Sequence, residues 1–156
     1  MNPPLFTPLN LPPGELRLGR DGSGRVTVWD VLRRKWVVLT PEEWVRQHMV
    51  RHLINDLGYP MHLMANEVGL RLNGRSRRCD TIVWRAGRPE PLLVVEFKAP
   101  SVAITQRTLE QAARYNMVLG ARALLLSNGL THFCCSAGGG VLEGIPAYSE
   151  LSAFGG

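Results

Sequence analysis

The chain has 156 residues, 45% hydrophobic and 20% charged, enough to bury a core as one domain and too apolar for a disordered segment. No apolar run approaches the ~20 residues that span a bilayer, and the opening MNPPLFTPLNLPPG lacks the basic start and apolar stretch of a signal peptide, so a cytoplasmic protein is expected. The formal net charge of +5 rests on sixteen arginines and only two lysines, Lys35 and Lys98, and guanidinium forks suit the phosphate oxygens of an anionic polymer, although an arginine-rich genome would leave the same excess.

Residues 1–24, rich in proline and glycine, are expected to form an irregular arm, with residues 25–156 as the domain proper. Two β-rich runs, 26–32 and 36–39, joined by Arg33-Arg34-Lys35, predict a hairpin. Thr40-Pro41-Glu42-Glu43 is a helix start: a capping hydroxyl, a proline at the first helical position and two acids at the positive end of the dipole. That helix is expected to run to about Leu57, with Val50, Leu53, Ile54 and Leu57 on one stripe and Gly58 ending it.

Three strands are expected next, at 61–67, 78–85 and 92–98, with turns at 69–74 and 86–91. The third, LLVVEF, is nearly all apolar and therefore central, covered on both faces, and Ala99-Pro100 stops it. A second helix over 105–119 closes at Gly120, a strand follows at 122–127, Asn128-Gly129 turns the chain, and 130–135 pairs back. The glycine run 138–140 and the tail specify little. The order of elements predicts an α/β fold with a central mixed β-sheet flanked by helices and an N-terminal β-hairpin.

The chemistry gathers at the end of the central strand. Glu96 and Lys98 lie two apart and share a face, with Phe97 on the other. A carboxylate and an ammonium at the end of so apolar a strand are costly without compensation, and a metal ion would supply it. An antiparallel pair joined by a short turn would set Asp80, near the start of the preceding strand, beside Glu96. Two hard carboxylate oxygens plus the Phe97 backbone carbonyl suit Mg²⁺, with Mn²⁺ as a substitute. A metal there would stabilise charge developing on a phosphodiester and lower the pKa of a bound water, with Lys98 positioning or deprotonating that water or balancing the phosphate.

Cys79-Asp80, fifteen residues, then Glu96-Phe97-Lys98 resembles the PD-(D/E)XK nuclease signature, without the proline that usually precedes the aspartate. LTPEEWVRQ at 39–47, Glu67, RRCDTIVW at 77–84, LLVVEFKAP at 92–100, QAARYN at 111–116 and LLLSNG at 124–129 stand in the order found in the N-terminal nuclease domain of type I restriction enzyme R subunits and its stand-alone relatives. This resemblance covers roughly residues 26–130. It implies a restriction-endonuclease-like core and metal-dependent hydrolysis of nucleic acid, most plainly DNA, in restriction or repair.

The resemblance also implies roles for further residues. Glu43 matches the first-helix acid that faces the metal, although Thr40-x-x-Glu43 is a capping box in its own right. Glu67 matches an acid near the metal. Gln111 and Tyr115 match a Q-x-x-x-Y motif that contacts nucleic acid or orders the site; the alternative is a polar helix surface on which Glu110 and Arg114 pair. Apart from the resemblance, Arg75, Arg77 and Arg78 form a basic cluster beside Asp80 that would grip phosphates flanking the scissile one, or be a solvated turn.

Other signals count for less. His48 and His52 have chelating spacing but no third ligand. Cys79, Cys134 and Cys135, odd in number and without a C-x-x-C pair, read as reduced buried thiols. Full R subunits couple the nuclease to an ATP-driven motor, whose phosphate loop needs Gly-Lys; neither lysine follows a glycine, so the expectation is a domain that acts alone, one that works with a separate motor or specificity subunit, or one with a different role. Two other readings stay open: a catalytically silent nucleic-acid-binding module on the same fold, and a structural partner protein that binds no metal.

Overall fold

The computed structural model describes residues 6–72 and 74–153. A three-stranded antiparallel sheet comes first, from β1 (Leu18–Arg20), β2 (Val26–Asp30) and β3 (Lys35–Val38) in the order β1-β2-β3. β2 and β3 are the expected hairpin. β1 is a correction, because it lies inside the segment read as an irregular arm and pairs with β2 across the boundary expected at residue 24. Three residues flanked by proline and glycine carry no periodicity of their own, and only the neighbouring strand makes them extended.

Helix α1 (Pro41–Asn55) begins as its sequence dictates, the Thr40 hydroxyl accepting from the Glu43 amide at 3.1 Å. It buries Val45, Met49, Val50 and Leu53. The main sheet follows: β4 (Met64–Leu72), β5 (Arg75–Trp84), β6 (Pro91–Phe97), then α2 (Gln106–Leu119), β7 (Ala123–Ser127), β8 (His132–Ser136) and β9 (Val141–Leu142), in spatial order β4-β5-β6-β7-β8-β9. Among the described residues only β6 and β7 run parallel, and α2 supplies the crossover that a parallel pair needs. A short helix, α3 (Tyr148–Ala153), closes the described chain.

β6 alternates between two cores. Leu93, Val95 and Phe97 face α1 and α3, together with Val45, Met49, Leu53, Leu125 and Leu151. Val94 faces α2 with Ile82, Leu119 and Leu124. The sheet therefore has helices on both sides, and β6 is covered on both, as its apolar run requires. Among the described residues no helix is long and apolar enough to cross a membrane.

Two further expectations need correction. The turn expected at 69–74 is mostly strand: β4 continues to Leu72 and β5 starts at Arg75, so Glu67 lies within β4 rather than at its end. β4 is an edge strand, where Gly69 meets nothing within 4 Å of a would-be Cβ, and a glycine there interrupts no packing. The tail, read as unspecified, supplies β9 and α3, with Leu151 buried in the larger core.

The segment before β1 is strapped down. Leu9 and Leu11 pack on the larger core, the Thr7 carbonyl accepts from the Trp44 indole N–H at 2.8 Å, and the Asn10 amide donates to the Gly129 carbonyl at 2.8 Å. Gly129 has φ +85°, and a Cβ there would stand 2.6 Å from Leu9 Cδ2 and 3.1 Å from Val45 Cγ2. Gly129→Ala is expected to cost about 1–3 kcal/mol in denaturant melts, backbone strain plus displacement of the strap. Gly139→Ala, at φ +90° with nothing within 4 Å, reports the strain alone and should cost only about 1 kcal/mol.

Candidate active site

The β5–β6 register runs Val83 opposite Leu93, Ile82 opposite Val94 and Thr81 opposite Val95. Continued by one residue it sets Asp80 against Glu96, and directly opposed residues of an antiparallel pair share a face. The ladder does not continue there because the Asp80 carboxylate takes the next amide, Phe97 N–H donating to Asp80 Oδ2 at 2.8 Å. The two carboxyl groups converge. Burial, then the charge of Asp80 and a hydrogen bond with it, push the Glu96 carboxyl up to about 7, while Lys98 and Arg77 pull it the other way. The Lys98 amide still donates to the Ser127 carbonyl at 2.9 Å, so its backbone stays in the sheet.

Glu96 and Lys98 open into a groove of about 360 Å³ between the sheet and α2, lined also by Arg77, Gln111, Tyr115 and Leu126. Gln111 and Tyr115, four apart on α2, both reach it. The Arg77 guanidinium lies 4.5 Å from the Tyr115 ring centroid, and the Tyr115 hydroxyl stands 3.9 Å from Cys79 Sγ. Burial holds the Tyr115 phenol and the Cys79 thiol protonated above their usual ranges. Glu110 and Arg114 form no ion pair among the described residues; Gln106 Nε2 donates to Glu110 Oε1 at 3.3 Å, and Arg114 Nε reaches the Glu110 carbonyl at 3.5 Å.

The other candidate acids sit in a separate network centred on Arg46. Glu43 Oε1 accepts from Arg33 Nη2 at 2.6 Å and from Arg46 Nη2, and Glu43 Oε2 accepts from Gln47 Nε2 at 3.1 Å. Burial alone would raise the Glu43 pKa; the Arg46 guanidinium, helped by Gln47 and Arg33, more than offsets it and holds the carboxyl below its usual value. Glu67, at φ +57°, accepts from Arg46 Nη2 at 2.8 Å and pairs with Arg78 at 3.4 Å. Arg46 Nη1 donates to the Asp80 carbonyl at 2.7 Å, so one guanidinium joins both acids to the strand carrying the site. Among the described residues no three His, Cys, Asp or Glu side chains form a group able to hold a metal ion, so Glu43 and Glu67 do not complete such a set with Asp80 and Glu96.

Arg77 and Arg78 are exposed beside the groove, whereas the Arg75 side chain lies outside the described residues. His48 stacks edge-on against Trp44 with centroids 4.3 Å apart, and His52 Nδ1 contacts Asp56 Oδ2 at 2.7 Å. All three cysteines are free and buried. Arg46 escaped sequence reasoning. Its only trace was the three-residue spacing from Glu43, which suits an ion pair on one helix face.

The raised Glu96 pKa has a stability consequence. Between the usual 4.5 and about 7 the folded state holds a proton that the unfolded state releases, so stability falls as pH rises through that window and the full deficit is present above it. Glu96→Gln is expected to stabilise the metal-free protein by about 1–2 kcal/mol at pH 8, allowing for partial solvent screening, and to do nothing at pH 4. Equal effects of this substitution at both pH values in urea melts would refute the crowded carboxyl pair.

Residues 41–146, more than half of the chain, match the family model described as Type I restriction enzyme R protein N terminus (HSDR_N). No curated protein matches the chain.

Proposed function

We propose that this chain, which belongs to the family of type I restriction enzyme R protein N termini, is a divalent-metal-dependent nuclease domain that hydrolyses phosphodiester bonds in DNA. Membership carries the coarser statement, a domain of the nuclease superfamily. The finer one rests on one observation: Asp80 and Glu96 bring their carboxyls together beside Lys98 at the mouth of a groove. Two hard-oxygen donors, one of them driven toward neutrality by burial and then by its neighbour's charge, form a set short of positive charge, and Mg²⁺ or Mn²⁺ would fit it, held by Asp80, Glu96 and the Phe97 carbonyl.

Such an ion supplies positive charge to the transition state and makes a nearby water more acidic. The chain's own groups do the rest. Lys98 offers a cation on the same face as Glu96, placed to hold the scissile phosphate or move a proton. Gln111 and Tyr115 line the opposite wall and would order the substrate, while Arg77 and Arg78 meet flanking phosphates. Gln111→Ala is expected to lower the cleavage rate about tenfold with Mn²⁺ affinity unchanged, since its amide orders the substrate rather than the ion. A motor or specificity subunit would be contributed by residues outside this sequence. Reduced thiols and a DNA substrate both suit the cytoplasm.

A second reading, a catalytically silent nucleic-acid-binding module, is favoured by a different observation: Glu43 and Glu67 are engaged by Arg46, and no three-acid set forms among the described residues. Calorimetric titration of Mn²⁺ separates the two. Binding at one site that Asp80→Asn removes supports the nuclease, whereas DNA binding with no detectable Mn²⁺ uptake leaves only the module.

A further inference from the structure

The N-terminal sheet lies outside the matched residues 41–146, and one of its faces carries a cluster that neither the core nor the carboxylate site uses. Trp29 stands opposite Trp36, and Thr27 lies between Gly19 and Val38. Residues two apart on a strand share a face, so Arg17, Gly19, Trp29, Trp36 and Val38 belong to one side. The opposite side holds Val28 and Asp30, both fully buried. The two indoles meet edge to face with centroids 5.5 Å apart. The Arg17 guanidinium sits over both, 5.4 Å from the Trp29 ring and 5.2 Å from the Trp36 ring.

Two properties separate this cluster from ordinary packing. Trp36 stays 42% exposed and Val38 36%, so the aromatic surface is open. Among the described residues no carboxylate pairs with Arg17, whose guanidinium lies over the indoles instead. Residues 15–40 contain six of the eighteen basic residues and three acids, and two of those acids, Asp21 and Asp30, are already tied to Arg25 and Arg33. The sheet is also fixed in place: Arg33 bridges Asp30 to Glu43, and Asn66 Nδ2 donates to Asp30 Oδ2 at 2.9 Å.

A pre-oriented guanidinium beside an open indole accepts a phosphate on the cation and a base on the ring. A duplex keeps its bases stacked on each other and offers the indole nothing. An acidic peptide would satisfy the cation but leave the indole without a π-face. We propose that this face binds a single-stranded nucleic-acid segment, with Arg17 on a phosphate and Trp36 stacking an unpaired base. The proposal goes beyond the hydrolysis reading and requires neither metal nor cleavage.

The test is fluorescence anisotropy on the full chain in EDTA and low salt, with labelled oligo-dT and oligo-U of about 20 nucleotides and a duplex of the same length. Trp36→Ala and Arg17→Met are each expected to weaken single-strand binding about tenfold or more, and Trp36→Phe to retain most of it. Asp80→Asn should bind as wild type does, which keeps a failed nuclease assignment distinguishable from a failed strand site. Circular dichroism melts accompany every variant; if Trp36→Ala does not fold, Arg17→Met decides, because its aliphatic stem still covers the rings. A preference for oligo-dT or oligo-U supports the site, and oligo-dU then separates the sugar from the thymine methyl. The proposal is overturned if wild type binds no single strand, if both variants bind as wild type does, if the duplex binds as tightly with the same losses, or if poly-glutamate of matched charge displaces the strand.

Discussion

Asp80→Asn and Lys98→Ala are each expected to abolish nicking of supercoiled plasmid in Mg²⁺ or Mn²⁺, a fall of about a thousandfold or more from wild type. The asparagine is the informative choice at position 80. Its side-chain carbonyl can still accept from the Phe97 amide, the 2.8 Å bond that ends the β5–β6 ladder, so the strands keep their register while the charge is lost. The Glu96 carboxyl then faces no neighbouring anion and should titrate lower than about 7, which removes the crowding that makes the pair attractive to a divalent cation. Lys98→Ala acts differently. It leaves both carboxyls in place, so Mn²⁺ uptake should persist or tighten as a competing positive charge is removed, while cleavage disappears. If wild type and both variants nick at the same rate, the cutting comes from another protein and the catalytic assignment is wrong.

The parts of this site that depend on local geometry were legible in the sequence. A short turn between two strands makes them antiparallel, which brings Asp80 beside Glu96; alternation then puts Lys98 on the same face, and four-residue spacing puts Gln111 and Tyr115 on one side of α2. The order of the main elements was equally plain, since each carried its own cap, stripe or apolar run. What escaped depends on docking. Nothing in the text around Arg46 says that α1 will lie where one guanidinium reaches Glu43, Glu67 and the Asp80 carbonyl together. β1 and β9 are strands only because a neighbour pairs with them, and Gly69 looked like a turn because its position on an edge strand is invisible without the sheet. The Trp36–Arg17 stack joins residues nineteen apart in sequence through two strand pairings, neither of which the composition announces.

The largest stability effect is expected at Arg46, a residue that does not line the groove of Glu96 and Lys98. Arg46→Met keeps much of the aliphatic volume and removes the charge. Arg46 is 6% exposed and Glu43 7%, so the substitution leaves a buried carboxylate with Arg33 and Gln47 as its remaining partners and strips Glu67 of its closer cation. Breaking one side of a buried ion pair costs about 3–5 kcal/mol, and Arg46→Met should reach the lower end of that range, because the Glu43 carboxylate keeps its desolvation penalty with only part of its compensation. Replacing both partners removes that charge, so Arg46→Met with Glu43→Leu should recover most of the loss in urea melts. The double variant also separates stability from function. The Asp80 carbonyl loses its 2.7 Å donor in either case, so a nuclease whose aspartate is held by Arg46 stays impaired after stability returns. Full recovery of activity in the stable double variant would show instead that Phe97 alone fixes Asp80, and that the arginine network serves only to dock α1 on β4 and β5.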